Sequence, residues 1–576
     1  MRNIFESRIK EWLRPFGEEC MKNITGRSYS FTLTDDCVQS VEEDLFFELY
    51  KILQPVLREE VDHIALKDNP FWGIDTKKIP AEVRRAAAEK LLTGMEEEGP
   101  GCFQDRFPLL YDLFSRKTLS FENGMTTMLD LISQNAESLS EGLFEGRRLT
   151  RIQNIKRWNE SVRKGGNTTA IIETNAGKMV FKPRDCRIDQ WFKNFSDEFF
   201  SESIKVPDVV CIGDQYGFFE FVVNRPASDE KEACDFYYNL GVLFTAILIT
   251  GGTDFHKYNF LASGSKVVPV DLETIMRPYD ELRVYPGKKF VDNSLLYSLA
   301  FPKISDRYED CGDSSLFTAD SDANASVPVI SGVRQMFHQY KEYFYRGFTE
   351  TYRKCMEKRE IMKEWIRRAV GLRIRTIMIS RKAYLQYLTM ITRPENLKNE
   401  ETRSRLKDHL CSVFRKGKKK NGEKIAEREA EDIIYGDEPY FYTDTDHGNV
   451  YSEGDLLTTY YFDATPIQRS LEYLSIMSEE ELAFEKRYID VAVRMAKIDL
   501  PEDPSRLSKP ELEAVMRDIE ENAVTTPDNY RFWPCRTDDR IRYSQIQTLI
   551  DSTEKINSFL ADVHIPGNVY PMSRTF

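Results

Sequence analysis

The stretch "TDFHKYNFLASGSKVVPVDLETIM" (253–276) gathers residues that together can move a phosphoryl group. Asp254 can accept or orient the proton of a hydroxyl, and His256, two residues on, can assist it. Asn259 and Asp271 offer an amide and a carboxylate oxygen, the hard donors that suit Mg²⁺, and Glu273 adds a third oxygen ligand. Metal-dependent phosphoryl transfer also needs a cation to grip nucleotide phosphates. Lys182, in "KMVFKPRD", stands where a strand should end and fits that need. Lys164-Gly165-Gly166-Asn167 is a candidate turn to cover phosphates, although glycine pairs are ordinary punctuation. Taken singly, each residue has a bland reading. His256 alone would be a hydrogen-bonded structural histidine, and Lys182 alone a surface lysine. The argument lies in their order and spacing together.

The elements that must position these residues can be read from pattern. "NTTAIIETNAGKMVFKPRD" (167–185) reads as a β-hairpin turning at Asn175-Ala176-Gly177. "VPDVVCIGD" and "YGFFEFVVN" (216–224) supply two more strands. An apolar helix spans 228–250, with Ser228 and Asp229 as candidate caps. "FLASGSKVVPV" is a strand–turn–strand that leads into Asp271. Asp254 and Asn259 are five apart, the spacing of the catalytic-loop Asp and Asn in protein kinases, whose metal-binding Asp also follows a strand turn. The Asp-x-His-x-x-Asn order is closer to the loop of lipid-kinase-like folds. The expected class is therefore α+β: a lipid-kinase-like two-lobed core with a helical N-terminal region and a helical C-terminal extension. ATP would lie between the lobes. Expected boundaries are 1–155 for the helical region, 156–227 for the β-rich lobe, 228–500 for the helical lobe, and 501–576 for the tail.

Composition narrows the classes. A chain of 576 residues is too long for one core. Its net charge of −14 argues against general nucleic-acid binding. The longest apolar run, "LGVLFTAILIT", is too short to span a bilayer and reads as a buried helix, so no membrane partner is expected. Ten scattered cysteines, with no CxxC pair, exclude ordinary zinc-ligand spacing and suit a reduced, cytoplasmic setting. The run "FRKGKKKNGEKIAEREAED" (414–432) reads as a solvated surface loop.

The 253–276 block resembles the dehydratase domain of class II (LanM-type) lanthipeptide synthetases. Thr253, Asp254, His256, Asn259, Ala262, Gly264, Pro269, Val270, Asp271, Leu272, Glu273 and Thr274 all match that family's T-D-x-H-x-x-N…D-L-E-T pattern. "MVFKPRD" resembles its hydrophobic-Tyr-Lys-Pro-Arg segment, placing Lys182, Pro183 and Arg184. "FPLLYDLFSRK" and "DEPYFYTDTDHGNVY" resemble flanking segments, so the likeness runs over about 107–480. The resemblance implies phosphorylation of Ser and Thr in a precursor peptide with ATP and Mg²⁺, followed by elimination of the phosphate. It implies that Lys182, with Arg184, Gly165 and Gly166, meets the nucleotide. Asn259 and Asp271 would hold the metal, Asp254 and His256 would serve the hydroxyl, and Arg375 would act in elimination.

Three departures accompany the likeness. The chain carries no Cys…Cys-His set of the family's zinc cyclase, so ring closure by that route is not expected. The family's Gly-Asp-x-His-x-Gly-Gly loop is replaced by "ESVRKGG", with Ser161 and Arg163 where Asp and His stand. The family's Arg-Phe-Ile-Phe-Arg-Pro-Thr-x-x-Tyr segment is "RTIMISRKAY" here: Arg375 and Tyr384 match, but Arg381 takes the Thr position. The expected function is a LanM-like phosphotransferase on Ser/Thr of a peptide, with elimination in doubt. A kinase-like enzyme for another protein or small-molecule acceptor, or a pseudokinase that binds a partner, are the alternatives.

Overall fold

The computed structural model describes residues 2–67, 76–158, 162–201, 203–279, 294–298 and 326–495, with a few isolated positions beyond. The N-terminal region is helical, as its periodicity requires: α1 (Arg2–Thr25), α2 (Asp35–Leu66), α3 (Ala81–Glu98), α4 (Pro108–Gln134) and α5 (Ala136–Phe144). In α2 the buried Val41, Leu45, Leu49, Ile52 and Val56 recur at three- and four-residue spacing. Thr34 caps it by accepting from the Cys37 amide, and Asp35 and Asp36 favour its positive end.

A six-stranded sheet follows, built from β1 (Thr32–Leu33), β2 (Arg151–Arg157), β3 (Ala170–Thr174), β4 (Lys178–Lys182), β5 (Val209–Ile212) and β6 (Tyr216–Glu220). Its order is β1-β2-β3-β4-β6-β5. The hairpin expected over 167–185 is β3–β4, with Ala170 opposite Phe181. Its turn closes through the Thr174 hydroxyl, which accepts from the amides of Ala176 and Gly177. The strand expected over 216–224 ends at Glu220. Strand alternation sends Met179 and Phe181 into the core and leaves Lys182 on the other face with Val180.

After β4 come α6 (Arg187–Phe200) and α7 (Glu230–Thr250). Of the two candidate caps, Asp229 is the one that accepts, from the Glu232 amide at 2.9 Å. By length and composition α7 could cross a membrane. It is instead buried along its length against α8 (Phe337–Glu357). The two backbones touch at glycines: a Cβ on Gly241 would lie 2.2 Å from the Phe344 carbonyl oxygen, and one on Gly347 2.1 Å from that of Tyr238. The hairpin β7 (Phe260–Ser263)–β8 (Lys266–Pro269) and a small hairpin β9 (Val329–Ile330)–β10 (Val333–Arg334) intervene. Then follow α9 (Arg359–Arg367), β11 (Arg373–Arg375), α10 (Arg381–Ile391), α11 (Glu400–Arg415) and α12 (Glu423–Tyr435). Strands β12 (Tyr442–Asp444), β13 (Val450–Ser452) and β14 (Asp455–Thr458) join β11 in a four-stranded sheet. Helices α13 (Pro466–Ile476) and α14 (Glu479–Met495) complete the main body.

Two large apolar cores result. One joins the N-terminal helices and the sheet to Tyr384, Leu410, Phe414 and Ile433 from α10–α12. The other is made by α6–α9, β7–β8, α13 and α14. The segment 381–434 thus returns to the N-terminal core, although it lies within the span expected to form one helical lobe. The charged run at 414–432 also departs from expectation. Half of it is α12, whose Ile425, Ala426 and Ala430 are fully buried. Lys418 meets Glu429 at 2.8 Å with both side chains shut from water. Composition alone hid this, because a buried ion pair counts as two charges. The eight described cysteines are unpaired thiols.

Candidate active site

The loop after α7 begins with a forced stop. Gly251 takes the left-handed conformation that ends helices, and the amide of Gly252 returns to the Ile247 carbonyl at 2.9 Å. Thr253 and Thr274 then tie the two ends of the unit together: the Thr253 amide donates to the Thr274 carbonyl (3.0 Å) and the Thr274 hydroxyl to the Thr253 carbonyl (2.6 Å). Asp254 sits at φ 63°, a region unfavourable for a residue with a Cβ. Its carbonyl accepts from the Asn259 amide nitrogen at 2.6 Å. That bond spends the nitrogen and leaves the amide oxygen for a cation. The Asn259 carbonyl in turn accepts from the Val270 amide at 3.0 Å, which brings Asp271 alongside.

His256 accepts from the Tyr258 amide through Nδ1 (3.3 Å). Nε2 lies 3.8 Å from the Asp254 carboxylate. Lys182 reaches across from the end of β4. Its ammonium donates to the Val270 carbonyl (2.6 Å) and to Asp271 (3.0 Å). Lys182 comes from the sheet and Asp271 from the helical core, so the site lies on the seam between them.

The carboxyls are driven apart. Burial pushes Asp254 above the usual carboxylate range, opposed by His256 and Arg375. Burial acts the same way on Asp271, but Lys182 and Arg184 outweigh it and hold the group well below that range. Roughly a third of each side chain remains open to solvent (30% and 33%), as a catalytic recess requires. Two carboxyls with opposed shifts divide labour: one can take a proton, the other stays an anion.

Around this pair lies a set of arginines. Arg184 is held by both oxygens of Asp189 (2.5 and 3.0 Å) and approaches Asp271 (3.3 Å) and Glu273 (3.4 Å). Its donors are committed to acids. Glu273 takes Arg375 at 2.7 Å and has Arg163 at 3.6 Å. Burial opposes its ionisation, but those cations hold it below its ordinary value. Its carboxylate therefore faces guanidinium groups, which compete with any metal. Arg375 also reaches Glu438 (3.2 Å), as does Arg381 (3.4 Å). Arg163 stacks 3.7 Å from the Tyr440 ring centre. Burial pushes the Tyr440 phenol up to about 12. Breaking one partner from such a buried network typically costs ~3–5 kcal/mol.

The glycine turn is only partly open. Gly166 is buried, and a Cβ there would meet the Ser120 carbonyl oxygen of α4 at 1.7 Å, so packing alone demands glycine. Gly165, at φ 74°, has only the Asn167 amide near its missing Cβ. Ser161 lies outside the described residues. Ser380 is the N-cap of α10, accepting from the Ala383 amide. Reading the sequence missed Asp189, Glu438 and Tyr440. Their signal was slight: Glu438 and Tyr440 fall in "DEPYFYTDTD", which stands out only as a flanking segment.

Among the described residues, no three His, Cys, Asp or Glu side chains come together as a metal cluster. Asn259 and Asp271 could offer one amide and one carboxylate oxygen to a cation. That suits Mg²⁺, which usually takes one or two protein oxygens and fills its shell with phosphate and water.

Residues 107–322 and 302–444 match a family described as a domain of unknown function, DUF4135. These spans cover more than half of the chain and every residue of the site, and the protein belongs to this family. The chain is also similar to the lacticin 481/lactococcin biosynthesis protein LcnDR2 of Lactococcus lactis subsp. lactis. Identity is 28% over 189 residues, 30% of this chain and 20% of that relative. The match thus spans about a fifth of the relative's length.

Proposed function

We propose that the protein is a LanM-like phosphotransferase of lipid-kinase-like fold that uses ATP and Mg²⁺ to phosphorylate Ser or Thr in a precursor peptide. The observation that carries this reading is the Lys182 ammonium 3.0 Å from Asp271, beside an Asp254–Asn259 loop. The similarity to a peptide-biosynthesis protein supports the acceptor class. Bound together, ATP and Mg²⁺ supply a transferable phosphoryl group and the charge that neutralises its oxygens. Lys182 would meet the phosphate oxygens, and Asn259 and Asp271 would hold the cation. Asp254 would take the hydroxyl proton as the acceptor oxygen bonds to phosphorus and the phosphorus–oxygen bond to the departing ADP breaks. His256, with Nε2 3.8 Å from that carboxylate, would stand beside Asp254 at the acceptor. Glu273 serves the arginines rather than the metal.

Phosphorylated product accumulates, on this reading, with little dehydrated residue. Elimination needs a base for the α-proton and donors for the leaving phosphate, and losing one positioned group typically costs ~10²–10⁴-fold. The positions where the family carries loop Asp, loop His and Thr are Ser161, Arg163 and Arg381 here. The test is mass spectrometry of a precursor peptide incubated with the protein, ATP and Mg²⁺. A lasting gain of phosphate supports the reading. Clean loss of water would show that elimination is intact, and no change would remove the assigned acceptor.

A further inference from the structure

Beside the Lys182–Asp271 pair, a second group of cations converges on too few acids. Arg163, Arg375 and Arg381 share the carboxylates of Glu273 and Glu438. Arg184 also approaches Glu273, but its bidentate bond goes to Asp189. Arg375 is satisfied at both terminal nitrogens. Arg163 and Arg381 are not. Among the described residues, Nη1 of Arg163 and Nη2 of Arg381 are buried and have no hydrogen-bond partner. The hydroxyl of Thr376, in the connection from Arg375 at the end of β11 to Arg381 at the start of α10, is likewise buried and without a partner among the described residues.

A guanidinium N–H taken out of water ordinarily has an acceptor. Two such groups on neighbouring side chains call for one that is anionic and has several oxygens. Stacking on Tyr440 fixes the plane of the Arg163 fork. Arg381 opens α10, whose N-terminal amides add positive field at the same place. The two arginines are joined in space through Glu438, which takes Arg381 on its side chain and whose amide donates to Val162, next to Arg163.

We propose that Arg163 and Arg381 form a phosphoryl-binding subsite that receives a tetrahedral phosphate dianion, distinct from the nucleotide position at Lys182. Resting on the function proposed above, the occupant is the phosphate monoester of the modified Ser or Thr. Arg375 links this subsite to the loop, since it holds Glu438 on one side and Glu273, two residues from Asp271, on the other. A phosphate attached to an acceptor oxygen at this loop would thus have arginine donors linked to it through Glu273. The bidentate fork suits phosphate better than a lysine would. The subsite holds the phosphorylated product and slows its release, in keeping with a phosphopeptide that accumulates.

The experiment uses the full chain without nucleotide or metal. Inorganic phosphate and a phosphoserine peptide are titrated separately by calorimetry, into wild type and into Arg163→Gln and Arg381→Gln. Each substitution is expected to weaken phosphoserine binding by roughly tenfold or more, the usual worth of a charged hydrogen bond. Binding of a non-hydrolysable ATP analogue with Mg²⁺ should change less than twofold. Arg163→Lys and Arg381→Lys keep the charge, lose the fork and guard against misfolding; they should recover only part of the affinity. Unchanged phosphoserine affinity in both Gln variants overturns the subsite. Equal affinity for inorganic phosphate and phosphopeptide assigns the free ion and overturns the monoester as occupant. Arginine-dependent phosphoserine binding by a protein that phosphorylates no peptide would leave the subsite standing and remove the function proposed above.

Discussion

Glu273 and Glu481 are both shut away from water, 6% and 0% exposed, yet their surroundings shift their ionisation in opposite directions. Glu273 lies on the seam between the two cores and is enclosed by Arg375, Arg163 and Arg184. Those cations overcome the burial penalty and keep it ionised. Glu481 lies on α14 in the helical core, near Glu485. Its partners are neutral: the Tyr352 hydroxyl donates to it, and Tyr473 lies close enough to help. Burial pushes Glu481 up to about 7 and Glu485 well above the carboxylate range. Glu485 accepts from the Leu295 amide, 3.3 Å from each oxygen. Burial alone therefore does not set charge in this protein; the placement of arginines does. The seam is built to hold fixed charge, which the phosphoryl transfer proposed above would need. In the helical core burial instead favours the protonated form of the acids.

Four substitutions test that contrast, from the largest expected effect to the smallest. Glu273→Ala should destabilise the protein by ~3–5 kcal/mol, because it strands buried guanidinium groups. Urea unfolding at pH 7 measures it, and a loss below about 1 kcal/mol would show that water already screens the network. Asp271→Ala should lower phosphotransfer by roughly 10²–10³-fold, the usual effect of removing one preorganised charge from a transfer site. The readout is phosphopeptide formed per minute. A full rate would release Asp271 from the metal role and undo the assignment of the loop.

The third substitution turns on pH. Glu481 has a folded pKa raised above its unfolded value, so the folded state binds the extra proton. Its contribution is fully favourable below the unfolded value of ~4.3 and is lost as pH rises through about 7. Glu481→Gln keeps a neutral side chain of similar shape. It should therefore stabilise the protein at pH 8 by on the order of 1–3 kcal/mol and change little at pH 4. Asp271 is depressed and has the opposite sign: its contribution is present above the unfolded carboxylate value and is lost as pH falls toward its folded value. Equal melting shifts for Glu481→Gln at both pH values would mean the acid is not protonated in the fold. The smallest effect belongs to an acid left in water. Glu401 and Arg405 pair one helical turn apart with both side chains largely exposed (73% and 76%). Glu401→Ala should leave the melting temperature and the transfer rate within error.

Much of the seam is legible in the amino-acid order. The spacing of Asp254, Asn259 and Asp271, and the strand that ends at Lys182, are local features. The chain between them is a short hairpin or a single strand, and backbone geometry allows few arrangements. The helical N-terminal region, the β3–β4 hairpin and the buried α7 are legible for the same reason, since period and turn chemistry act within a few residues. The charged run at 414–432 misleads because composition cannot tell a solvated lysine from Lys418 buried on Glu429.

The sequence by itself determined which groups stand at the floor of the recess and the order in which the chain delivers them. Tertiary structure decided what charge they carry. The acids that meet Arg375 come from positions 102 and 63 residues away in the chain. No periodicity links Glu273, Arg375 and Glu438, because Coulomb attraction depends on distance in space and on exclusion of water, and both are set only when the two cores close on each other.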